Sequence, residues 1–216
     1  MKHAWARGWH GVTLAVVVAT LLLQLGLVVQ GQSVLDESTV PPLGTRLWRL
    51  ASYFTIQSNV LVAIAAATLV RNPERDGPVW RVLRIDAVLG ITLTGLVHFF
   101  LLRPLLNLKG LNAVADTGLH LVVPALALTG WLAFGPRPRL SASTVLWSLL
   151  WPIAWLIVTL VVGAATQWYP YPFLDVGAQG YAPVLITCVA VTLVFLVLAA
   201  IAWWADARLP RARVLN

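Results

Sequence analysis

APVLITCVAVTLVFLVLAAIAWW, residues 182–204, contains no charged side chain. As a helix it is long enough to cross the roughly 30 Å hydrocarbon core of a bilayer. Five further runs of the same character precede it: Gly11–Val29, Ser52–Val70, Leu83–Leu102, Thr117–Phe134 and Thr144–Ala164. The separators carry breakers and charges, as in RNPERDGPVWR (71–81) and GPRPRLSAS (135–143). Barrel strands alternate apolar and polar residues over about ten positions, and these runs do not. The expected fold is therefore all-α: one polytopic domain over residues 1–216, a six-transmembrane-helix bundle.

Composition agrees. Hydrophobic residues make up 59% of the 216 and charged residues 11%, with a mean hydropathy of +0.82. A water-soluble fold, with about 25% charged residues, covers its surface differently. A cytosolic enzyme, a nucleic-acid-binding domain, a coiled coil and a disordered chain are all excluded. The single cysteine, Cys188, rules out an intrachain disulfide, and no Cys/His spacing is that of a zinc site. Lys2 and Arg7 before the first run leave a secretory signal as an alternative. The run is long for one, and VQGQ is a poor cleavage site, so an uncleaved first span is expected.

Lys and Arg set the orientation. Eleven lie on one side: Lys2, Arg7, Arg71, Arg75, Arg81, Arg84, Arg137, Arg139, Arg208, Arg211 and Arg213. Four lie on the other: Arg46, Arg49, Arg103 and Lys109. The acidic residues divide four and four, so the net charge of +7 sits on one face. That face, with both termini, is expected to be cytoplasmic. Trp5, Trp9, Trp80, Trp131, Trp203 and Trp204 fall at inner span ends, and Trp48 and Trp168 at outer ends, as an interfacial belt does. Trp147, Trp151 and Trp155 recur every four residues and form a stripe for packing or lipid contact.

Polar residues within the spans are the functional candidates. No Lys, Arg, Asp or Glu stands in the middle of a run, which speaks against a proton-coupled transporter. Thr55, His98 and His120, from three different spans, fall at nearly one depth near the outer side. Thr55 and Asn59 share a helix face, as do Asp116 and His120. Pro124, four residues after His120, has no amide hydrogen for the carbonyl of residue 120, so a bend is expected there. Tyr169-Pro-Tyr171-Pro-Phe173, in the last outer loop, is a stiff extended segment. It serves either as an interfacial anchor or as a lid that brings Tyr169 or Tyr171 to the site. Each polar residue has an ordinary reading as well. A membrane-helix Thr commonly bonds its own helix carbonyl, and an interfacial His or a first-turn Asp is commonly structural. Their shared depth sets them apart.

YFTIQSN (53–59), TGLVHFFLLRPL (94–105), ADTGLHLVVP (115–124) and WYPYPFLD (168–175), in that order, resemble the androgen-induced and androgen-dependent membrane protein family. The likeness is nearest to its bacterial six-span relatives. The resemblance implies an intramembrane hydrolase of fatty acid esters of hydroxy fatty acids, in a bacterial cytoplasmic membrane. It places the nucleophile on Thr55 and the base on His120. The family's hydrolases carry an acidic residue shortly after the Thr, where this chain has Ser58-Asn59. In this reading Asp116 orients His120, and Asn59, His98 or Tyr171 donates to the oxyanion. Pro124 shapes the site, and no metal or cofactor is required. Membrane lipids or a lipid ester are the partners, with no nucleic acid. The Thr55 hydroxyl is expected within about 6 Å of the His120 ring, a one-water span. Two other readings stand beside it: a b-type haem held by His98 and His120, and a non-catalytic binding, transport or scaffold protein.

Overall fold

The structure, a computed structural model, describes residues 2–32 and 39–209. Asp36, Glu37, Arg211 and Arg213, used in the charge count, lie outside the described residues. Among the described residues there is no strand. Six helical spans are long and apolar enough to cross a membrane: His3–Val29, Phe54–Arg71, Pro78–Leu105, Gly110–Phe134, Ala142–Thr166 and Tyr181–Arg208. The chain is a multi-pass, all-α membrane bundle. An even number of crossings brings the first and last helix ends to one face, called the termini face below.

The first span is one helix, α1 (Lys2–Val29). A helix not expected from hydropathy follows, α2 (Leu43–Ser52). The separator 40–49 looks like a loop because its charges lower the window average. Yet Leu43, Leu47 and Leu50 recur at helical spacing, with Arg46 and Arg49 between them, which is the pattern of a helix lying along an interface. No residue of α2 is buried. Tyr53 is extended (φ −67°, ψ 128°) and separates α2 from α3 (Phe54–Arg71).

The third span begins with Pro at the first turn of α4 (Pro78–Val97). Arg84 and Asp86 therefore stand inside α4, and both are buried. The fourth span starts at Gly110 rather than Thr117, as α5 (Gly110–Thr117). It continues through a π turn (Gly118–Val122) into α6 (Val123–Phe134). Asp116 is consequently about two turns inside that span, not at its opening. The fifth span is α7 (Ala142–Ser148) and α8 (Leu150–Thr166). A short α9 (Val176–Gln179) leads into α10 (Tyr181–Arg208).

α4 is the most buried span. One of its faces (Ile85, Val88, Leu89, Leu93) packs with Val184, Cys188, Phe195 and Ala199 of α10. Its other face (Ala87, Ile91) packs with Val17 of α1, Val62, Ala65 and Leu69 of α3, and Val123. α8 and α10 present Ile, Leu and Val outward, as lipid-facing helices do. On the termini face, charges tie loops together. Arg81 grips Asp76 with two bonds of 2.7 and 2.8 Å, which holds the Asp76 carboxyl well below the usual carboxylate range. Asp206 Oδ2 accepts from the backbone N–H groups of Arg139 (2.6 Å) and Leu140 (2.7 Å). Arg137 donates to the carbonyls of Trp131 (2.9 Å) and Leu132 (2.7 Å), satisfying the end of α6.

Candidate active site

Because Tyr53 breaks the chain, Thr55 is the second residue of α3 and has no preceding helical turn. Thr13, Thr20, Thr68, Thr92, Thr166, Thr187 and Thr192 each donate to the carbonyl four residues earlier. Thr55 makes no such bond. Its Oγ1 lies 3.3 Å from His120 Nε2 and 3.2 Å from the Tyr171 hydroxyl. The side chain is buried, so both partners are fixed neighbours.

The tryptophan stripe holds this helix start. Trp151 stacks on Phe54 at 4.5 Å and donates to Gln57 Oε1 at 3.1 Å. Trp155 packs edge-on to Phe54 at 5.0 Å and donates to the Ser52 carbonyl at 2.9 Å. Trp147 is exposed. Two of the three thus dock α8 against the residues flanking Thr55.

His120 sits within the π turn Gly118–Val122, and His98 opens a second π turn, His98–Leu102. A proline follows each, Pro124 and Pro104. Each withholds an amide that the preceding turn would otherwise use. The break at Pro124 is therefore a widened turn that re-aims His120. α4 closes on this turn at Gly95: a Cβ there would lie 3.1 Å from the His120 carbonyl oxygen.

His120 Nδ1–H donates to the backbone carbonyl of Asp116 at 2.9 Å. That leaves Nε2 with its lone pair toward Thr55. Asp116 thus orients the imidazole mainly through its carbonyl, four residues back along the helix. Its carboxylate Oδ1 lies 3.0 Å from His120 Nδ1 and 3.0 Å from His98 Nε2. The two imidazoles stack at 4.0 Å. His98, Asp116 and His120 bring potential ligand atoms within 4.8 Å of one another. Sequence spacing could not show this, because the ligands come from two spans.

Tyr171 is buried among Tyr53, Trp155 and Phe173. Its hydroxyl accepts the Thr55 backbone N–H at 3.2 Å. That amide is one of the unpaired donors at a helix start. Burial pushes the Tyr171 hydroxyl up in pKa, so it keeps its proton. With the Thr55 proton directed to His120, the Tyr171 O–H is left to donate to Thr55 Oγ1. The loop is seated by Gly163: a Cβ there would fall into the Tyr169 ring, 2.5 Å from Cζ and closer to two other carbons.

The other expected oxyanion donors are differently employed. Asn59 is fully buried, and its Nδ2 donates to the carbonyls of Thr55 (2.8 Å) and Leu119 (3.4 Å). It clamps α3 to the π turn. His98 faces Asp116 across the ring stack. Two cavities meet at Thr55, Leu102 and Tyr171, which line both. The larger, about 160 Å³, holds His98, Asp116 and His120 under Trp168–Pro172, with Arg46 and Arg49 toward the face opposite the termini. The smaller, about 90 Å³, is apolar and runs between α4, α8 and α10 past Leu156, Cys188 and Phe195. Compared with family models, curated proteins and solved structures, the chain matches none.

Proposed function

We propose that this protein is an intramembrane hydrolase of lipid esters, with Thr55 as nucleophile and His120 as base. The observation that carries it is the Thr55 hydroxyl, placed between an imidazole lone pair and a tyrosine hydroxyl where a polar and an apolar cavity meet. An activated hydroxyl, a base and an oxyanion donor are what nucleophilic ester cleavage requires. As Thr55 Oγ1 attacks the ester carbon, its proton passes to His120 Nε2. The Asp116 carbonyl holds Nδ1–H throughout, with the Asp116 carboxylate 3.0 Å from the same nitrogen. Tyr171 O–H turns from Oγ1 to the new oxyanion. The carbon–oxygen bond then breaks, and the departing alkoxide takes the proton from His120. Water, deprotonated by His120, frees the acyl group from Thr55. The acyl chain lies in the apolar cavity and the alcohol side in the polar one.

The motif resemblance to the androgen-induced and androgen-dependent membrane protein family supports the same assignment. With the positive termini face inward, the site opens to the outer leaflet of a bacterial cytoplasmic membrane. Two axial imidazoles on one haem stand on opposite sides of the macrocycle. Rings stacked on each other at 4.0 Å leave no place for it. The test is hydrolysis of a fluorogenic long-chain ester by the protein in nanodiscs. Wild type and Thr55→Ser turn it over, and Thr55→Ala does not. Equal activity in Thr55→Ala ends the proposal and favours a binding or scaffold protein.

A further inference from the structure

His98 is the least explained group in the bundle. It is 2% exposed, and neither ring nitrogen has a hydrogen-bond partner. Buried imidazoles are normally satisfied at one nitrogen at least. Its Nε2 stands 3.0 Å from Asp116 Oδ1 without the alignment of a hydrogen bond, and that oxygen is likewise buried and unbonded. Asp116 Oδ1 is also 3.0 Å from His120 Nδ1. The two oxygen–nitrogen separations of 3.0 Å are close to the edge of a zinc coordination shell, about 3.3 Å for ligands some 2.0 Å from the metal. All three ligand atoms lie within 4.8 Å of one another; the two rings must turn out of their stack to aim both nitrogens at one ion.

We propose that His98 Nε2, Asp116 Oδ1 and His120 Nδ1 form a three-ligand site for a zinc-type divalent ion, and that an ion there switches off the proposed hydrolase. Two imidazoles and one carboxylate suit zinc among the common divalent ions, with a fourth position open to water. The site lines the larger cavity, so an ion enters from the face opposite the termini. Coordination at Nδ1 moves the His120 proton to Nε2. His120 then donates to Thr55 Oγ1 and cannot take its proton. The binding half stands on the ligand geometry, and the inhibition half rests on the hydrolase proposal.

The experiment is a titration of the purified full chain in nanodiscs with zinc chloride. Bound metal is read by mass spectrometry of desalted protein, and ester hydrolysis is followed in parallel. The expected result is one zinc per chain in wild type. Affinity falls at least tenfold in both His98→Gln and His98→Ala, and His10→Gln leaves uptake unchanged. X-ray absorption should report two imidazole nitrogens. Hydrolysis should fall over the zinc range that fills the site, and His98→Gln should shift both curves together. Zinc uptake that is absent or independent of His98 overturns the site. Uptake through His98 with undiminished hydrolysis overturns the inhibition. A chain that takes up zinc through His98 yet never hydrolyses the ester supports the site and refutes the hydrolase proposal.

Discussion

Replacing Gly163 with Ala drives a methyl group into the Tyr169 ring. The added Cβ would lie 2.5 Å from Cζ, with two ring carbons closer, whereas carbon atoms rest at about 3.5–4.0 Å. The ring must therefore retreat by about 1 Å or more. Pro170 stiffens the link to Tyr171, so the shift reaches the hydroxyl that holds Thr55 at 3.2 Å. A hydrogen bond stretched by that amount is effectively lost. Misplacement of about 1 Å at a catalytic constellation costs about 10²-fold in rate. Stability moves less: overpacking costs about 1–3 kcal/mol, offset by about 1 kcal/mol from the better helix former. The assay is ester turnover and thermal unfolding in nanodiscs for Gly163→Ala, Tyr169→Ala and the double variant. The expected outcome is a large loss of kcat in Gly163→Ala, with no further loss on adding it to Tyr169→Ala. Wild-type turnover in Gly163→Ala, or full additivity in the double variant, refutes the reasoning.

Tyr171→Phe keeps the ring packing and removes the hydroxyl; kcat should fall about 10²–10³-fold, as for loss of one oxyanion donor, measured at saturating ester. Asn59→Leu removes the side-chain hydrogen bonds to the carbonyls of Thr55 and Leu119, worth about 0.5–1.5 kcal/mol each, so the unfolding temperature should drop; an unchanged one would show that the clamp carries no energy. Pro124→Ala restores an amide for the His120 carbonyl and should convert the π turn to regular helix, lowering turnover while folding in detergent persists. Cysteines introduced at Ser141 and Gln179, both exposed, should label from opposite sides of the membrane in a Cys188→Ala background; labelling from one side would overturn the topology.

The six spans were legible because hydropathy summed over twenty residues exceeds the influence of any single side chain. Span ends were not, since Gly110–Asp116 and Pro78–Arg84 carry polar residues that remain helical inside the bundle. The common depth of Thr55, His98 and His120 followed from counting along alternating spans. Contact between them depends on helix rotation, which counting does not fix. The amphipathic spacing of α2 was present in the sequence but masked by its arginines. The two π turns had a signal in Pro104 and Pro124, which pointed to a bend but not to its form. The use of Asn59 as a clamp and the orienting carbonyl of Asp116 had none. Backbone acceptors are the same at every residue, and only the fold selects which one is met. The docking of Trp151 and Trp155 on Phe54 was likewise hidden, because their spacing fits a lipid-facing stripe equally well.

The central claim is that Thr55 carries the acyl group. A fluorophosphonate probe reacts with an activated hydroxyl, and peptide mass spectrometry identifies the labelled residue. The account predicts one adduct, on the peptide containing Thr55, absent in Thr55→Ala and strongly reduced in His120→Ala. An adduct on another residue, or none on a chain that hydrolyses the ester, would contradict it.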